Sequence, residues 1–384
     1  MEQYLNQNVK EIEISGIRKF FNLVQGQKDM VSLTIGQPDF HTPDHIKAST
    51  KQALDQNLTT YTPNAGILDL RKAVSNFVKT NYNLNYHAED EIIITVGASQ
   101  AIDISLRTVI TPGDEVILPG PVYPGYEPLI KLAGGKPVYV DTRENQFKLT
   151  AELIEKHITK KTKCVILPYP SNPTGVSLDQ QELQDIADLL KDQPIFILAD
   201  EIYSELTYEK PHTSIGSFDE VREQTLIVQG VSKSHSMTGF RIGFLLGPQA
   251  LIKHILKVHQ YNVSCATSTS QYAALEALTN GRKDPKIMRD AYLERRNYVI
   301  KRLEIMGIEV IIPDGAFYVF PRLVPSSQTS FDFGLKLVEE ARLALVPGDA
   351  FSDYGQGYMR ISYAYHQDIL KEGMDRLESF MKDQ

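Results

Sequence analysis

The sequence predicts an α/β protein: a large domain on a mostly parallel sheet sandwiched by helices, joined to a smaller α+β domain. Three observations carry that prediction. Seven short runs recur between residues 91 and 247, most of them nearly continuous in Val, Ile and Leu, as in strands buried on both faces of a parallel sheet. Longer helical stretches separate them, so β and α alternate from about residue 45 to 285. After Arg282 strands and helices segregate into blocks. The length, 384 residues, also exceeds what one core usually supports. The large domain is set at 45–283, and the small domain at 284–384 together with the N-terminal segment 1–44.

In chain order the strands are EIIITV (91–96), DEVILP (114–119), KPVYV (136–140), KCVILPY (163–169), IFILA (195–199), TLIVQ (225–229) and RIGFLLG (241–247). Asp179 to Lys191 reads as an amphipathic helix with Leu183, Ile186, Leu189 and Leu190 on one face. Beyond Arg282 come a charged helix over roughly 284–306, the segments GIEVIIP and GAFYVFPRL, a helix near 331–342, then ALVPGDAF, GYMRISYA and a final helix. The helix-like ISGIRKFFNLVQG near the start is expected to cover the small domain or the opening between domains.

The composition is that of a soluble globular protein, with 42% hydrophobic and 23% charged residues and a net charge of −8. Acids and bases are mixed, so no basic stripe points to nucleic acid or an anionic membrane. Apolar runs such as Ile195 to Ala199 are too short to span a bilayer. Two cysteines, Cys164 and Cys265, suit a reducing compartment without a disulfide framework. The opening MEQYLNQNVKEIEI has acids and amides where a signal peptide needs bases and an apolar core, so the cytoplasm is expected.

Ligands of α/β sheets sit at the carboxyl ends of strands, so the residues after each run matter most. Gly97-Ala98-Ser99 follow the first strand; they read as an anion site of backbone N–H groups or as a plain tight turn. A nucleophile elbow on Ser99 is spoiled by Ala101. In PYPSNPTG, Asn172 stands between two prolines that fix its direction, although such residues also make ordinary loops. Asp200 ends a buried strand, where a carboxylate needs a cation or donors unless it only caps a helix. Tyr203 is three positions on. Lys233 follows the next strand among small residues, where burial favours the neutral, nucleophilic amine; Arg241 can neutralise a phosphate. A surface Lys and Arg are the plain alternative. Arg360, inside the apolar GYMRIS, offers a planar fork for a carboxylate.

The order of these residues, within PSNPTG, DEIY, SKSHSMTGFRIG and GYMRIS and after IGQPDF and YTPNAG, resembles the class I/II aminotransferases among the fold-type I pyridoxal phosphate enzymes. The resemblance spans nearly the whole chain and implies an aspartate aminotransferase-like fold. It makes Lys233 the internal aldimine and proton-transfer residue, and Asp200 the partner of the pyridinium nitrogen. Tyr203 and Asn172 would contact the phenolic oxygen. Arg241, Ala98 and Ser99 would hold the phosphate, with Ser232 as a further helper. Tyr123 would lie on the ring face, and Arg360 would bind the α-carboxylate with Asn172 and the backbone near Gly36. Tyr61 would reach the neighbouring subunit's phosphate, which implies a homodimer with shared sites.

Many relatives carry a serine three residues before the lysine; this chain has Gly230. His235 is read as packed or solvated, and no residue is assigned to a metal. EIEISGIRKF, PGPVYPGYEP and HILKVHQYNVSCA resemble N-acetyl-L,L-diaminopimelate aminotransferases of lysine biosynthesis, with 2-oxoglutarate as acceptor. An aspartate or aromatic donor stays open. So do a carbon–sulfur lyase on the same lysine and a non-catalytic cofactor-binding regulator.

Overall fold

A computed structural model of the chain describes residues 1–24, 26 and 29–382. Its strands are β1 (Val31–Ser32), β2 (Ile92–Thr95), β3 (Glu115–Gly120), β4 (Lys136–Asp141), β5 (Thr162–Leu167), β6 (Phe196–Asp200), β7 (Thr225–Gly230), β8 (Gly243–Leu246), β9 (Tyr318–Val319), β10 (Leu343–Ala344), β11 (Val346–Pro347) and β12 (Met359–Ser362). The seven runs read from the sequence become one sheet in the order β2-β8-β7-β6-β5-β3-β4. Only β8 is antiparallel to its neighbours.

Both faces of this sheet are covered, and the alternation of side chains decides which core each joins. Along β5, Cys164 and Ile166 enter a cluster with Leu198, Val116 and residues of the helix Gly97–Val109. Val165 and Leu167 enter the opposite cluster with Ile197 and the helix Gln180–Leu190. That helix starts where its sequence dictates: Asp179 accepts from the N–H of Glu182 at 3.0 Å, and the Glu182 carboxylate accepts from the N–H of Asp179 at 2.7 Å. Such a reciprocal cap contributes about 1 kcal/mol. The edge strand β4 departs from the doubly buried expectation. It is largely half-buried and carries Pro137, which lacks an N–H and is tolerated at an edge.

The C-terminal elements form a second layer. β12 lies between β11 and β9, antiparallel to both, against the helices Asp284–Ile305, Ser330–Ala341 and Gln367–Lys382. β1 pairs in parallel with β10, which ties the N-terminal segment to this layer. The helix Gly16–Val24 buries Phe20 and Val24 against Val338 and Ala344. One segment differs from expectation. GIEVIIP forms no strand; Ile308 and Val310 turn to one core, Ile311 turns to another and Ile312 is exposed. Its apolar residues are spent on two separate cores rather than on one sheet face.

Candidate active site

The carboxyl ends of β3, β5, β6 and β7 open into one cavity of about 660 Å³, closed from the other side by residues of β9, β12 and the N-terminal segment. Gly36, Ala98, Ser99, Tyr123, Asn172, Asp200, Tyr203, Ser232, Lys233, Arg241 and Arg360 all line it. Two residues singled out in the sequence do not. Gly97 lies behind the Arg241 guanidinium, and Tyr61 stands apart with 86% of its surface exposed.

Lys233 is half-buried, and its ammonium donates to the carbonyl of Gly36 at 2.6 Å. Burial lowers its pKa to about 8, and the nearby positive charges of Arg360 and Arg241 push the same way. Asp200 is buried at the end of β6. Tyr126 Oη donates to its Oδ2 at 2.7 Å and the N–H of Ile202 to its Oδ1 at 3.2 Å. Loss of solvation still dominates and raises its carboxyl to about 6. A cation brought beside Asp200 would remove that penalty.

The anion cradle is built by backbone. The helix after β2 begins at Gly97, so Gly97, Ala98 and Ser99 form its first turn. No side chain caps it, which leaves its N–H groups free for an anion. Gly97 has φ of 76°, and a Cβ there would sit 2.5 Å from the Arg241 guanidinium; one on Gly243 would sit 2.5 Å from the Gly97 carbonyl carbon. The two glycines thus let the helix end, β8 and Arg241 close on one point. Gly230 is also tight: a Cβ would lie 2.9 Å from the Ile242 carbonyl oxygen.

Arg360 is the largest fully enclosed side chain, 2% exposed. Its Nη1 donates to Asn172 Oδ1 at 2.8 Å and its Nη2 to the Thr34 carbonyl at 2.6 Å. The rings of Tyr318 and Phe351 flank it at 4.4 and 5.1 Å. Its Nε is buried without a partner, and no carboxylate pairs with it among the described residues. A buried guanidinium in that state is costly until an anion arrives. Burial lowers its pKa for the same reason.

The sequence reading missed Tyr126 and Tyr318. Tyr126 closes the run VYPGY, three residues after Tyr123, and that spacing was its only signal. Tyr318 Oη sits 2.9 Å from Tyr203 Oη, a pairing no local pattern shows. His235 faces away: Ser234 Oγ and the Gly281 carbonyl hold its two nitrogens at 2.8 and 3.1 Å, and burial lowers its pKa to about 4. The arrangement offers a reactive amine, a buried carboxylate, an anion cradle and an unpaired arginine around one space. No group of three or more metal-ligating side chains occurs among the described residues.

A family model described as "Aminotransferase class I and II" matches residues 28–377. The probable N-acetyl-LL-diaminopimelate aminotransferase of Bacillus subtilis is 61% identical over 381 residues, covering 99% of this chain and 96% of its own. Among solved structures, the aromatic aminotransferase of Pyrococcus horikoshii superposes with a TM-score of 0.90 at 40% identity, over 96% of this chain and 99% of its own. A single mutant of Thermus thermophilus aspartate aminotransferase gives 0.93 at 35% identity, over 98% and 99%.

Proposed function

The chain belongs to the class I and II aminotransferases, and on that premise we propose that it transfers the amino group of N-acetyl-L,L-diaminopimelate to 2-oxoglutarate, with pyridoxal phosphate held on Lys233. The family uses this cofactor and acts on amino acids and 2-oxo acids. The observation that carries the reading is the convergence of Lys233, Asp200 and an unpaired Arg360 on one cavity. The donor rests on the 61% identical relative.

The residues fit the cofactor. A protonated ring nitrogen would supply the cation that Asp200 lacks, and its phosphate would fill the cradle of Ala98, Ser99 and Arg241, with Ser232 beside it. Tyr123, half-exposed over the cavity, would lie on the ring. Tyr203 Oη and the amide nitrogen of Asn172, whose oxygen is engaged by Arg360, would hold the phenolic oxygen. When bound, pyridoxal phosphate supplies an aldehyde for the amine and a ring that accepts negative charge from Cα.

The chain's own groups do the rest. Arg360 takes the α-carboxylate on its unsatisfied edge, and so fixes which bond at Cα faces the ring. The Lys233 amine removes the Cα proton and holds it on Nζ for return two atoms away, across the amino nitrogen. Asp200 keeps the opposite charge fixed in a dry site, where it acts most strongly. A 2-oxo acid leaves, and a second 2-oxo acid takes the amino group, so the kinetics are ping-pong.

A homodimer, a cytoplasmic location and the domain limits 45–283 and 1–44 with 284–384 belong to the same reading. Exposed Tyr61 supports the first, two free cysteines the second and the β1–β10 pairing the third.

The visible spectrum of the purified holoenzyme tests the proposal. A yellow band that bleaches with N-acetyl-L,L-diaminopimelate and returns with 2-oxoglutarate is expected. A band that survives every donor while pyruvate or sulfide accumulates would replace this reading with a lyase. A band untouched by any substrate would favour a binding regulator.

A further inference from the structure

Once Lys233, Arg241 and Arg360 have their tasks, one cation is left among the described residues of the cavity wall. Arg18 lines the cavity from the helix Gly16–Val24. It is exposed, and among the described residues its guanidinium has no carboxylate, carbonyl or ring partner. The acid beside it, Glu13, is engaged by Lys19 at 2.6 Å and does not compete. The helix is seated firmly: Phe20 is buried, Ile17 touches the cluster that contains Phe351, and a Cβ on Gly16 would collide with Ala350 at 2.9 Å. Phe351 is also the ring beside Arg360. Two guanidinium groups therefore face one space from connected elements. The same cavity wall carries two exposed apolar side chains, Phe21 one helical turn after Arg18 at 41% and Ile35 at 40% exposed. Exposed apolar side chains that share a cavity with an unpaired cation are what a methylene chain ending in an anion would cover.

We propose that Arg18 binds the distal carboxylate of a long dicarboxylic amino donor whose α-carboxylate sits on Arg360, with Phe21 and Ile35 against its methylenes. This rests on the aminotransferase reading above and gives the anionic tail of its donor a partner in the chain.

The test uses a matched pair of donors on the holoenzyme: 2-aminopimelate, and 2-aminoheptanoate of equal length without the distal carboxylate. The wild type should prefer 2-aminopimelate. Arg18→Gln should raise KM for it about 10- to 100-fold, the loss of a charge-assisted pair, and leave its kcat and both constants for 2-aminoheptanoate unchanged. Arg18→Lys should keep part of the preference. Calorimetric binding of pimelate should weaken by a similar factor in Arg18→Gln, while hexanoate stays as it was. Equal losses on both donors would reduce Arg18 to a structural role, and unchanged pimelate affinity would overturn the proposal. A wild type that ignores N-acetyl-L,L-diaminopimelate yet selects 2-aminopimelate through Arg18 would sink the donor reading alone.

Discussion

Arg360 donates from Nη1 to Asn172 Oδ1 at 2.8 Å, joining residues 188 positions apart across the cavity. That bond and the Thr34 carbonyl fix the plane of the guanidinium and leave Nε without a partner. Arg360→Lys replaces an oriented fork by a point charge. KM for the amino donor should rise about 10- to 100-fold, with a smaller effect on kcat. Steady-state kinetics check this; an unchanged KM would remove Arg360 as the carboxylate clamp.

Lys233→Ala should abolish turnover. The pH response of the amine is a second, finer prediction. Burial holds its pKa down near 8, so the reactive neutral form is scarce below that value and dominant above it. The rate at which cofactor-free protein takes up pyridoxal phosphate should climb towards pH 8 and then level off. A rate that keeps rising towards the pKa of a free lysine would contradict the depressed value.

Asp200 works in the opposite sense. Its raised pKa, about 6, means that the carboxylate is charged above that pH and neutral below it. Cofactor retention should weaken as the pH falls through 6, and Asp200→Asn should lose that component of the pH dependence. Removing one partner of a buried pair costs about 3–5 kcal/mol, so the variant should also hold the cofactor far more weakly. Tyr126→Phe deletes the 2.7 Å bond and should cost less, about 1.5–3 kcal/mol in cofactor affinity. Equilibrium dialysis of both variants decides the order.

Tyr61 gives a prediction about assembly. It lies outside the cavity of its own chain, so in a homodimer it would complete the neighbour's site. Mixing inactive Lys233→Ala subunits with weakened Tyr61→Phe subunits should give hybrids in which the only site that retains Lys233 receives an intact Tyr61. Activity above that of either parent is expected. No gain after verified subunit exchange would place Tyr61 elsewhere.

Much of this was legible because it is local. Runs such as EIIITV and KCVILPY can be satisfied only as strands with both faces covered, and each is followed by its polar residue at the carboxyl end. Asp179 and Glu182 announce a helix start three residues apart. GIEVIIP misled because its apolar pattern suits a strand, while the fold gives it no partner strand. Tyr126 and Tyr318 went unread because tyrosines at helix starts and in short strands are ordinary until a carboxylate or a guanidinium faces them.

The sequence by itself determined the seven strands of the main sheet, the Gly97 turn, the lysine after β7 and the arginine within β12, because each depends on side-chain periodicity or on residues a few positions apart. The tertiary structure alone decided that β8 runs antiparallel, that the carbonyls of Gly36 and Thr34 receive Lys233 and Arg360, and that Arg18 reaches the same cavity. Those contacts join residues up to 326 positions apart. Such meetings are set by how whole elements bury their apolar faces against one another, and no local pattern encodes that.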